Sequence, residues 1–157
     1  MKRTVTVVFV AVALATTVMA QGGARGPQEG VWKVTEEVVT GAKASSTTSP
    51  QPSLFIFTPT HYSMLRVDSA QPRALFSKVM DPTNEEKIAA YDTFTANSGT
   101  YEVAGTTLTV RPIVAKNPNF MAGGFVKYEF RVDGNILWLT SLTGPETGTR
   151  RKLIRVE

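Results

Sequence analysis

From Gly30 to the C-terminus, apolar and polar residues alternate in short runs broken by Gly, Pro, Asn and Asp, the period-two pattern of half-buried strands. Eight runs can be marked. The first, Val31 to Val39, sets Trp32, Val34 and Val38 on one face, with Glu36 sharing their parity and Glu37 opposed to it. A polar loop is expected over Gly41 to Gln51. Ser53 to Thr58 and His61 to Asp68 are joined at Pro59-Thr60, where proline presets a turn dihedral. A two-residue connection there puts Phe57 opposite Tyr62 and Phe55 opposite Met64. Gly99 to Ala104 and Thr106 to Pro112 read as a hairpin about Ala104-Gly105, which pairs Tyr101 with Leu108 and Val103 with Thr106. Next, Val126, Tyr128, Phe130 and Val132 alternate with Lys127, Glu129 and Arg131 and run into Asp133-Gly134, a type I′ hairpin signal. That turn predicts Phe130 opposite Leu137 and Tyr128 opposite Leu139, leaving Ile136 and Trp138 on the outer face. Arg151 to Val156 supplies the last strand.

Between the third and fourth strands the period changes. Asp81-Pro82-Thr83-Asn84-Glu85-Glu86 carries helix-start chemistry, either Asp81 capping ahead of Pro82 or Thr83 and Glu86 forming a capping box. Ile88, Tyr91 and Phe94 or Thr95 then fall at helical spacing, so this helix is expected to lay an apolar side on the sheet, over its opening or over Trp138. The pattern as a whole predicts a mainly β fold: an eight-stranded antiparallel up-and-down barrel with one helix between strands three and four.

Length and composition agree with one domain. The chain has 157 residues, 42% hydrophobic and 19% charged, enough to bury a core without staples. Its cysteine count of zero excludes thiol chemistry, cysteine-ligated zinc and iron–sulfur centres. At the N-terminus, Lys2 and Arg3 precede an apolar run from Val5 to Leu14 and the small-residue pattern Val18-Met19-Ala20, which reads as a removable signal peptide over residues 1–20. The expected organisation is therefore a signal at 1–20, a flexible Gly-rich leader at 21–29 and the barrel at 30–157. The product is expected to be exported, to the periplasm or outside the cell. Two of the 17 basic residues leave with the signal, so 15 against 13 acids leaves a formal charge of +2. No basic cluster with interleaved aromatics accompanies it, and no nucleic-acid partner is expected. No membrane segment remains after signal removal, and a monomer is expected.

Candidate chemistry is sparse. His61 is the only histidine, so neither a histidine-centred triad nor a histidine metal site has a second anchor, and no phosphate or dinucleotide motif is present. No catalytic residue, metal or cofactor is assigned. Glu85-Glu86 complement a helix N-terminus. If Trp32 points inward then Glu36 does too, and a buried carboxylate needs a partner; Arg66, sharing parity with Tyr62 and Met64, is the candidate.

Gly30-Val31-Trp32 at the first strand matches the G-x-W of the lipocalins, and the order of elements resembles the bacterial lipocalin-like domain proteins. The Thr58-Pro59 turn into His61-Tyr62-Ser63, the Gly99-Thr100-Tyr101-Glu102-Val103 strand and the Asn117-Pro118-Asn119 loop are similar features. The resemblance runs from Gly30 to the C-terminus. It implies a barrel with a cavity, closed at its base by Trp32 with a basic side chain, Arg151 or Arg155, across the ring. The chain departs from the transport lipocalins in lacking their cysteines and T-D-Y motif and in inserting a helix, so their ligand preferences do not carry over.

The expected function is the binding of a small apolar molecule inside the barrel. Phe55, Phe57, Tyr62, Met64, Tyr101, Tyr128 and Phe130 would form the walls, and Glu36 and Arg66 would meet a ligand headgroup. Two alternatives stand beside it. One is an isomerase or cyclase using Glu36, Tyr62 or Arg66 as acid and base. The other is an interaction module presenting Ile136 and Trp138.

Overall fold

The computed structural model describes residues 25–42 and 44–157; the expected signal peptide and the start of the leader lie outside them. The elements follow in the order β1 (Gly30–Val39), β2 (Ser45–Thr47), β3 (Ser53–Phe57), β4 (His61–Val67), α1 (Asn84–Asp92), β5 (Phe94–Ala104), β6 (Thr107–Ala115), α2 (Pro118–Met121), β7 (Val126–Asp133), β8 (Ile136–Ser141) and β9 (Arg150–Arg155). All neighbours pair antiparallel, and β9 pairs back onto β1, so β1 and β3 to β9 close an eight-stranded barrel. The ninth strand, β2, forms in the stretch expected to be a polar loop and extends the sheet beside the second half of β1. The helix accordingly stands between β4 and β5 in chain order, which is still after the third barrel strand.

Closure works because alternation places one face of every strand on a common axis. Trp32, Phe57, Leu108, Leu137, Leu139 and Leu153 are buried there, and the β3–β4 register is the expected one, Phe55 on Met64 and Phe57 on Tyr62. The other two hairpins differ from expectation by two residues. Val103 pairs with Leu108 and Tyr101 with Val110; Phe130 pairs with Leu139 and Tyr128 with Ser141. The cause lies in the turns. Gly105 and Gly134 occupy the first central position with φ of 59° and 57°, and among the described residues no other residue type has positive φ. A glycine-first turn of type II′ needs left-handed backbone once, whereas type I′ on Asp133-Gly134 would force Asp133 there too. A slip of two preserves side-chain parity, so the interior set is unchanged.

One break in parity does change the interior. A bulge between Val34 and Glu36 leaves Thr35 unpaired in the β1–β9 ladder. Its hydroxyl donates to the Lys152 carbonyl at 3.2 Å. Beyond it the faces exchange: Glu37 turns inward to Arg151, while Glu36 turns outward to Lys152 at 2.7 Å. The expectation of an inward Glu36 and Val38 is therefore corrected, since strict alternation holds only where no residue is inserted.

Helix α1 starts with the Thr83–Glu86 capping box; the Thr83 N–H donates to Glu86 at 2.8 Å. Its expected apolar face is not buried. Ile88 and Tyr91 are 60% and 50% exposed, because β5 begins directly after the helix and holds it outside the barrel wall. Trp138 is covered instead by Arg150 and Lys152, whose cationic ends lie 5.7 and 5.5 Å from its ring centroid.

Candidate functional site

The barrel has two unlike ends. The tight turns after β3, β5 and β7 lie at one end, with Trp32; the long connections lie at the other. At the closed end Trp32 is fully buried, and the Arg155 guanidinium sits 4.0 Å from its ring centroid. Arg155 also donates to the carbonyls of Glu29 and Pro27, at 2.5 and 3.0 Å. The Trp32 indole N–H donates to the Gln28 carbonyl at 2.8 Å, and the buried Gln28 amide donates to the Tyr101 hydroxyl at 3.0 Å. Gly26 to Glu29, expected to be flexible leader, are thus part of the plug: a buried indole N–H needs an acceptor, and this segment supplies it. Of the two candidate partners for Trp32, Arg155 is the one that stacks.

The interior changes character along the axis. Phe57, Tyr62, Tyr101 and Phe130 fill the closed half, with Phe57 and Tyr101 in an edge-to-face contact at 5.5 Å. Burial raises the Tyr62 phenol above its ordinary value, and does the same to Tyr128. Phe55, Met64 and Tyr128 stand higher, as the floor of a cavity of ≈ 390 Å³. Phe120, Phe125 and Val126 complete its apolar wall. The opening has a topological cause. β6 pairs with β7 only from Thr107 to Val110, so the last part of β6 leaves β7, and α2 with Phe120 bridges the gap. Asn97 joins the wall, its side-chain oxygen buried without a hydrogen-bond partner.

At the rim of this cavity stands a charged cluster. Arg66 on β4 pairs with Asp68 and, through both terminal nitrogens, with Glu146. Arg151 on β9, only 3% exposed, contacts Glu37 at 2.6 Å through Nε and Glu146 at 3.1 Å through a terminal nitrogen. Arg151, the other candidate for the Trp32 ring, is engaged here instead: its parity with Leu153 points it inward at the opposite end. A second, polar cavity of ≈ 680 Å³ lies between β1, β2 and β4, and the Arg66–Glu146 pair borders both. Burial opposes ionisation of Glu146, but Arg66 and Arg151 outweigh it and hold its carboxyl below the ordinary range. A carboxyl with a depressed folded pKa contributes stability above its unfolded value of 4.5 and loses that contribution as pH falls through the folded one. We therefore expect acid unfolding below about pH 4.5 to weaken in Glu146→Gln, read as a flatter unfolding midpoint against pH.

Of the expected wall residues, Phe55, Met64 and Tyr128 border the cavity, as does Arg66; Phe57, Tyr62, Tyr101 and Phe130 pack beneath it. Glu36 stands outside. The proposed acid–base set of Glu36, Tyr62 and Arg66 is not assembled, because Glu36 faces away and Arg66 is engaged with carboxylates. Glu146, Phe120 and Phe125 carry no periodic signal in the sequence; Arg151 does, through its alternation with Leu153. Among the described residues no group of three or more His, Asp or Glu side chains is placed to hold a metal ion, and no helix is long and apolar enough to cross a membrane.

A search against protein-family models finds no match, and neither does a search of curated proteins. Among solved structures, the chain is similar to a lipocalin-like protein from Bacteroides uniformis, with TM-score 0.48 and 13% identity over 83% of this chain and 99% of that one. It is also similar to an uncharacterized protein from Bacteroides eggerthii, with TM-score 0.44 and 10% identity over 81% of this chain and 98% of that one. The fold assignment rests on the strand pairing itself: an eight-stranded, closed antiparallel barrel with Trp32 plugging one end beneath Arg155, consistent with a lipocalin-like domain.

Proposed function

We propose that this chain is an exported, monomeric carrier that holds a small apolar molecule at the open end of its barrel. The observation that carries the reading is the cavity floored by Phe55, Met64 and Tyr128, with a mouth where β6 parts from β7. Small barrels are normally filled by their own side chains; here the filling stops half-way along the axis. Apolar walls with a few polar groups at one edge are the usual composition of a small-molecule site. Residues 1–20 support the export part of the reading by their charge and apolar pattern.

Titration with the neutral fluorophore 1-aminoanthracene tests the cavity. Val126 lies on the wall at the mouth, so Val126→Trp should weaken the probe by roughly tenfold or more while leaving the barrel folded. Equal affinity for the wild type and this variant would reject the site. Native mass spectrometry of protein purified from its host should show a copurified small molecule, on a polypeptide shortened by the signal.

A further inference from the structure

We propose that Arg66 and Arg151 form an anion seat, occupied in this structure by the protein's own Glu146, and that the carried molecule is an apolar chain ending in a carboxylate. The inference rests on the cavity reading above and narrows it to a ligand class.

The geometry separates fixed partners from a removable one. Each arginine has a carboxylate of its own bound through Nε: Asp68, just beyond the end of β4, for Arg66, and Glu37 on β1 for Arg151. The terminal nitrogens are left over, and three of the four converge on Glu146. Arg66 grips it with both, one donating to Oε2 at 3.1 Å, while Arg151 donates to the same oxygen at 3.1 Å. This is the fork arrangement in which guanidinium recognises carboxylate most strongly.

Charge counting gives Glu146 a different status from the other two. Arg66 with Asp68 and Arg151 with Glu37 are already balanced, so Glu146 is a surplus anion, and one further carboxylate is what the seat accepts. It is also the one carboxylate supplied by the β8–β9 connection and not by a strand or its immediate end. That connection turns on Gly144 and Gly148, with φ of 85° and 86°. A side chain on such a loop can leave with less loss of sheet pairing than one on β1.

The seat is continuous with the apolar site. Arg66 and Glu146 border the same cavity as Phe55, Met64 and Tyr128. An alkyl chain lying on these rings brings its end to the Arg66 guanidinium. A carboxylate there replaces every bond that Glu146 gives up. An alcohol does not, because displacing Glu146 for a neutral group leaves two guanidinium ends underpaired in a partly buried site. Glu146 thus acts as a tethered competitor that carboxylate ligands must displace and neutral ones need not.

Displacement of 1-aminoanthracene by decanoate and by 1-decanol provides the test, on wild type, Glu146→Gln and Arg66→Met. With the competitor's charge removed, Glu146→Gln should bind decanoate about tenfold tighter than wild type does, with decanol changed by no more than about twofold. Arg66→Met should lose the preference for decanoate over decanol while still binding decanol, which also serves as its folding control. If Arg66→Met does not fold, the contrast between wild type and Glu146→Gln decides alone. A decanoate-to-decanol ratio that is the same in wild type and Glu146→Gln overturns the anion seat but leaves the apolar cavity standing. Failure of the wild type to bind decanol and the probe overturns both.

Discussion

Trp32→Ala will lower the unfolding free energy by about 3–5 kcal/mol, the largest loss expected from any single core truncation in this protein. Trp32 is fully buried, holds a hydrogen bond to the Gln28 carbonyl and carries Arg155 across its ring. Three effects are lost together, and their sizes are unequal. Removing the indole leaves a cavity at the closed end that flanking strands, locked into the β1–β3 and β1–β9 ladders, cannot collapse to fill. The orphaned Gln28 carbonyl adds about 1 kcal/mol, and the cation–π contact about 1–2. The cavity dominates. Urea denaturation of Trp32→Ala, Trp32→Phe and Arg155→Met ranks them: the phenylalanine variant keeps most of the volume and should lose less than half as much as alanine, while Arg155→Met gives up the ring contact together with the hydrogen bonds to the Glu29 and Pro27 carbonyls. Equal losses for Arg155→Met and Trp32→Ala would show that the plug is electrostatic and not steric.

Gly99→Ala will cost about 3 kcal/mol, near the top of the range for overpacking a filled site. Gly99 stands at the bulge where the β5–β6 register shifts, between Ser98 and Gly99. Its backbone runs so close to β6 that an added Cβ would collide with the Arg111 carbonyl oxygen and lie 2.7 Å from the Ile113 nitrogen and 2.8 Å from the Pro112 Cα. Every obstacle is backbone, so no rotamer change relieves it. The bulge also sets the course of the upper β5 and β6 segments, which bring Thr95, Asn97 and the α2 loop to the cavity. Loss of stability should therefore come with weaker binding of 1-aminoanthracene by the protein that remains folded. A Gly99→Ala variant with wild-type midpoint and wild-type probe affinity would show that the strands separate there at no cost.

Much of the fold was legible from alternation alone. The interior positions Phe55, Phe57, Tyr62, Met64, Tyr101, Tyr128 and Phe130 could be named because parity is a property of a single strand and survives a register slip of two. The candidate site was legible only in part. Phe55, Met64 and Tyr128 were found by parity, as was Arg66, but nothing in the sequence separates the residues that floor a cavity from those packed beneath it. That distinction depends on where β6 leaves β7, which is a contest between two distant segments. Glu146 sits in a connection with no period to read. Two start signals, Asp81-Pro82 and the Thr83–Glu86 box, point to helix α1 and the box is the one that forms, but the spacing of Ile88 and Tyr91 promised a burial that the position of β5 denies.

What the sequence determined by itself is therefore local: which residues form strands, which face of each is apolar, and where the helix begins. Tertiary structure decided the rest. It moved two hairpins onto glycine-first turns, because only glycine takes left-handed backbone without strain. It also inserted Thr35 as a bulge, exchanging Glu36 for Glu37 inside the barrel and completing the arginine–carboxylate cluster with Arg151 and Glu146. Those choices are settled by pairing energies between residues far apart in the chain, such as Glu37 and Arg151, and a periodic pattern read along one strand contains no information about its partner.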